Sequence, residues 1–193
     1  GHGREAAEAL AAGLLAMPPC TTLDALTTHL DVLHATLQAQ FADGAGATGR
    51  PGTTLTLLEL PPGGAPLLYH VGDSRLYELD AQQATVLTVD HVPATGAALA
   101  GRLGEADWWR EVHGRHAPQI AQAFILGNAF ADPARLSDGL FALTPANLPC
   151  WLGHLPDRRA LPLRADAAYL LATDGFWSCA QPDAFVARWA TLL

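Results

Sequence analysis

A chain of 193 residues that is 50% hydrophobic and 16% charged has enough apolar side chains for one domain with a sizeable core, which excludes a disordered polymer. Its net charge of −8, with only 11 Lys and Arg spread along the sequence, excludes a nucleic-acid surface, because phosphate backbones are held by clustered cations.

Residues 5–17 are strong helix formers, and Pro18-Pro19 stops them. A second helix follows: Thr21 is the expected N-cap, Asp24 stands three residues on, and Leu23, Leu26, Leu30, Leu33, Leu37 and Phe41 form one apolar stripe. His29 and His34 flank that stripe and read as partly exposed helix histidines, without the spacing of a metal site. After a Gly- and Ala-rich connection, residues 53–60 and 66–71 read as a hairpin around Pro61-Pro62-Gly63-Gly64. Residues 75–79 and 84–89 read as a second pair around Asp80-Ala81-Gln82-Gln83, so that the four strands make an antiparallel meander covered by helices.

Between His91 and Cys150 the pattern changes to short helical patches, Trp108-Trp109 and turn clusters, which reads as a mobile insertion. Residues 160–163 and 167–172 are expected to return as strands, and 182–192 to form a last helix with Pro182 in its first turn. Cys20, Cys150 and Cys179 are odd in number and far apart, which fits neither a zinc knuckle nor a disulfide framework and points to a reducing cytoplasm. No apolar run reaches the ~18 residues of a membrane span, and residues 1–20 lack a signal-peptide pattern.

Two runs carry chemistry. His70-Val71-Gly72-Asp73-Ser74-Arg75 and Leu171-Ala172-Thr173-Asp174-Gly175 each deliver an aspartate at the end of an apolar strand, aimed by the backbone yet within reach of solvent. Asp-Gly after a strand is commonly just a turn. Here, however, Gly1-His2-Gly3, Gly52-Thr53-Thr54, Gly72-Asp73-Ser74-Arg75, Thr88-Val89-Asp90-His91 and Thr173-Asp174-Gly175 occur in one order, and the series resembles the metal-dependent protein phosphatases (PPM, type 2C).

The resemblance implies an α+β fold, a four-layer α-β-β-α sandwich of two antiparallel sheets, as a single domain over residues 1–193 with a variable flap at 92–150. It implies hydrolysis of phosphoserine and phosphothreonine in proteins by water activated between two Mn or Mg ions, with a third, weaker ion beside the flap. Among the residues it implies Asp174 as an ion ligand, Asp90 as the carboxylate of the weaker ion, and Gly1 as a carbonyl ligand. Asp73, Ser74, Arg75, Gly175 and His2 are implied as support, and for Asp73, Ser74 and Arg75 a polar network that locks strand pairing is an equal reading. His91 follows Asp90 on a strand end, faces the other way and is expected to pack against the insertion. The implied partners are a phosphoprotein substrate and a cognate kinase, with no nucleic acid and no membrane, for a cytoplasmic monomer.

The departures matter as much. The family's first metal aspartate, just ahead of the Gly-His region, its upstream phosphate-binding arginine and its last Asp-Asn segment have no counterpart in residues 1–193. Asp183 follows Pro182 at an expected helix start, where capping accounts for it. With one of the family's core carboxylates left, Asp174 alone is too few for two hard cations. The alternative reading is therefore a catalytically inactive pseudophosphatase that binds a partner. An unrelated metallohydrolase would need His-rich ligand sets, which are missing.

Overall fold

The computed structural model describes residues 2–42, 49–113, 119–130, 134–177 and 188. Helix α1 spans Gly3–Ala16 and ends as Met17 turns extended before Pro18-Pro19. Helix α2 spans Leu23–Gln40, and its N-cap is Thr22 rather than Thr21, with the Ala25 N–H donating to the Thr22 hydroxyl at 3.2 Å. One face of α2 buries Leu26, Leu30, His34 and Leu37 against α1 and a sheet, joining Ala6, Leu10, Tyr69 and Phe124 in one core. Each such leucine contributes about 1.5–3 kcal/mol through burial.

Strands β1 (Leu55–Glu59) and β2 (Leu67–Val71) pair antiparallel, with Leu55 opposite Val71. Strands β3 (Arg75–Leu79) and β4 (Ala84–Val86) form a second pair, with Tyr77 opposite Val86, around a turn in which the Asp80 carboxylate accepts the N–H groups of Gln82 and Gln83. The expected four-strand meander is not continuous. Strand β2 is buried along its whole length, so each face needs a cover, and the chain leaves one sheet for the other between β2 and β3. Gly72 makes that step at φ 109°, where an added Cβ would lie 2.6 Å from Thr54 Cγ2.

Helices α3 (Pro93–Leu99) and α4 (Glu105–His113) follow, then the short hairpin β5 (Gln122–Ala123) and β6 (Gly127–Asn128). With Val89, Leu143, Leu148, Leu152 and Leu155, α3 and α4 enclose a separate core around Trp108. Strand β7 (Arg158–Ala160) joins β2, lying two to three residues earlier than expected, and β8 (Ala168–Ala172) joins β3. The sheet orders are β1-β2-β7 and β4-β3-β8, antiparallel throughout.

Leu68, Leu76 and Leu161 fill the space between the sheets, and Tyr77, Leu79, Ala172 and Trp177 form a further cluster with the short helix α5 (Asp174–Trp177). The architecture is the expected α+β sandwich. The helix expected at 182–192 lies outside the described residues, and among these no helix is long and apolar enough to cross a membrane.

Candidate active-site edge

The step from β2 to β3 and the end of β8 meet at one edge of the second sheet. Arg75 lies opposite Ala172, and the same register carried outward leads to Ser74 and Asp73 on one strand and to Thr173 and Asp174 on the other. Antiparallel pairing thus brings together two motifs about a hundred residues apart. Asp174, the first residue of α5, is exposed, whereas Asp73 and Ser74 are buried. A cavity of about 290 Å³ opens beside this edge, lined by Leu10 and Leu14 of α1, Thr54, Thr56, Ser74 and Thr173.

Hydroxyls and histidines lock the inner side of the edge. The Thr54 and Ser74 hydroxyls are 2.6 Å apart. His70 Nε2 faces the Val89 carbonyl at 3.2 Å and so carries the ring proton, while Nδ1 lies 2.9 Å from the Thr56 hydroxyl, which donates to the Ser74 carbonyl at 3.0 Å. Burial pushes the His70 pKa well below its ordinary value, and the neighbouring His91 adds to the effect.

His91 Nδ1 accepts the Gly72 N–H at 3.2 Å and the Gln122 amide at 2.9 Å, so its proton sits on Nε2, 3.5 Å from Asp157 Oδ2. Gln122 also grips the Phe141 backbone, and the Leu143 N–H donates to Asp157. His91 therefore packs against Gln122 and Phe130 of the expected insertion, although Asp90 and His91 lie beyond the end of β4 and not on a strand end. Thr56, His70, Gln122 and Asp157 are members that sequence reading did not single out. Only His70, adjacent to the Gly-Asp-Ser-Arg run, had a local signal.

Arg75 and Asp90 form a fully enclosed ion pair. Arg75 Nε donates to both Asp90 oxygens at 3.0 and 3.2 Å, and Nη2 donates to Oδ2 at 2.7 Å. Burial alone would lower the guanidinium's pKa, but the Asp90 charge and its hydrogen bonds outweigh that, and the net direction is upward. Asp90, implied as a ligand of a weaker ion, has both oxygens engaged by Arg75.

His2 is exposed at the start of α1 and pairs with Glu5 at 2.6 Å, and Gly1 lies outside the described residues. An added Cβ at Gly175 would meet only Thr173 Oγ1, at 3.7 Å, so close packing does not require glycine there. His34, expected to be partly exposed, is buried: it accepts the Ile125 N–H at 3.1 Å and donates to the Asp138 carbonyl at 2.9 Å, tying α2 to the 125–138 segment.

Among the described residues no three of His, Cys, Asp and Glu converge as an ion site. With Asp90 consumed by Arg75, these residues do not by themselves fit a two-ion centre, since Mg²⁺ and Mn²⁺ need several anionic oxygens to offset dehydration.

No family model and no curated protein matches the sequence. Solved structures do match in three dimensions. The PPM Ser-Thr phosphatase MsPP of Mycobacterium smegmatis aligns with 97% of this chain and 69% of its own, at TM-score 0.59 and 21% identity. The Mycobacterium tuberculosis serine/threonine phosphatase PstP/Ppp aligns with 95% of this chain and 67% of its own, at TM-score 0.60 and 20% identity.

The fold is that of the PPM phosphatases.

PppA, described as a regulatory component of type VI secretion in Pseudomonas aeruginosa, shares the PPM fold over 100% of this chain and 74% of its own, at TM-score 0.57 and 19% identity. Stp1 of Staphylococcus aureus, a serine/threonine phosphatase, shares it over 91% of this chain but only 57% of its own. This chain thus spans between 57% and 74% of the length of these four structures.

Proposed function

We propose that this chain is the core of a protein phosphatase domain that hydrolyses phosphoserine and phosphothreonine in proteins with Mn or Mg. The observation that supports the reading is the PPM fold, carried over nearly the whole chain, with the β3–β8 register bringing the Asp73 and Asp174 motifs to one edge. Asp174 is the accessible carboxylate this chain offers to a cation, and the family resemblance adds Gly1 as a carbonyl ligand and Asp73, Ser74, Arg75, Gly175 and His2 as support. Residues 92–150 act as the variable segment that selects the phosphoprotein, and a cytoplasmic kinase supplies the phosphate.

A second reading is a pseudophosphatase that keeps the fold to bind a partner. The Arg75–Asp90 pair favours it, because it removes one carboxylate from any ion.

Activity separates the two. The 193-residue polypeptide should hydrolyse para-nitrophenyl phosphate hardly at all with Mn²⁺, whereas the full gene product should be active and lose at least about 100-fold on Asp174→Asn. An inactive full gene product favours the binding module. Robust turnover by residues 1–193 alone shows that the ligands are misassigned.

A further inference from the structure

Arg75 touches four parts of the molecule at once. Besides its bidentate pair with Asp90, Nη2 donates to the Val112 carbonyl in the last turn of α4 at 2.8 Å, and Nη1 reaches the Tyr77 hydroxyl at 3.3 Å. The guanidinium carbon lies 3.6 Å from the centroid of the Trp177 ring, and Trp177, the last residue of α5, is fully buried. Asp90 is held from behind as well: its carbonyl accepts the Thr95 hydroxyl at 2.6 Å, and that hydroxyl accepts the Trp108 indole N–H at 3.1 Å. One planar cation is therefore stacked on α5, bonded to the end of α4 and clamped by the segment between β4 and α3. A planar guanidinium can satisfy these three directions together, and an ammonium cannot.

We infer that Arg75 is a positioning residue that couples the α3–α4 unit to the α5 turn bearing Asp174, and that Asp90 is its counter-ion and not an ion ligand. The inference rests on the proposed phosphatase reading only in giving Asp174 a function. The coupling itself stands on the contacts of Arg75.

Hydrogen exchange on Arg75→Lys, Asp90→Asn and the double variant Arg75→Met with Asp90→Leu tests it. The singles leave a buried charge badly partnered, and the double removes both charges, so it is the variant that keeps a folded sheet if a single does not. In the double variant, amides of residues 110–113 and 174–177 should exchange at least about tenfold faster together, while those of β1 and β2 stay unchanged. Unchanged exchange in both segments, or a change confined to one of them, overturns the coupling.

Water-proton relaxation with Mn²⁺ tests the counter-ion claim in the same samples. A folded double variant that relaxes like the parent upholds it, and a folded one that alone loses the effect makes Asp90 a ligand. With the full gene product as parent, no relaxation effect defeats the Mn²⁺ part of the phosphatase reading and leaves no ion on Asp90, which upholds the counter-ion claim, and the exchange result still decides the coupling.

Discussion

At the scale of single residues, the edge depends on a few positions whose chemistry has no substitute. Gly72 combines φ 109° with a Cβ direction blocked by Thr54, so Gly72→Ala should cost at least about 1–3 kcal/mol in urea unfolding. Gly175 has neither constraint, and Gly175→Ala should cost far less.

His70 gives a pH signature. Its folded pKa is depressed by burial and by His91, so below about pH 6.5 the unfolded chain binds a proton that the folded chain refuses. Its contribution to stability is thus complete above about pH 6.5 and declines as pH falls, by up to about 1.4 kcal/mol per unit. His34, lowered chiefly by desolvation, has the same sign. Unfolding midpoints at pH 7.5 and 5.5 should show the loss, and His70→Asn should flatten it. An unchanged slope would place the sensitivity elsewhere.

At the scale of elements, periodicity specified α1 and α2 because each has a repeated apolar face, and the first hairpin was legible as two apolar runs bounded by turn residues. Thr22→Ala should remove the N-cap of α2 at a cost of about 1 kcal/mol, with Thr21→Ala nearly silent, which thermal unfolding will show. The α3–α4 unit rests on Trp108, which is buried and bonded to Thr95. Trp108→Ala should cost about 3–5 kcal/mol, and exchange should rise in α3 and α4 before it rises in the β1-β2-β7 sheet, which has a separate core. Equal loss everywhere would mean that the two cores unfold as one.

At the scale of the whole molecule, β1 and β8 stand at the ends of their sheets among the described residues, and Leu171 of β8 is 51% exposed. Unpaired strand edges with apolar side chains invite pairing between molecules. The 193-residue polypeptide should therefore scatter light increasingly with concentration, and Leu171→Lys should suppress it. Scatter that ignores the lysine would exonerate that edge.

The sequence by itself determined the layers and the motifs, since apolar spacing decides which faces must be buried and the Asp-bearing runs sit at strand ends. It also implied the α+β sandwich through the order of those motifs. Only the tertiary structure decided which partners the polar groups take. That Arg75 claims both oxygens of Asp90, that β2 and β3 lie in different sheets, and that Asp157 reaches His91 across 66 positions (157 − 91) all depend on contacts between distant segments, and no local pattern encodes a contact whose other half lies elsewhere in the chain.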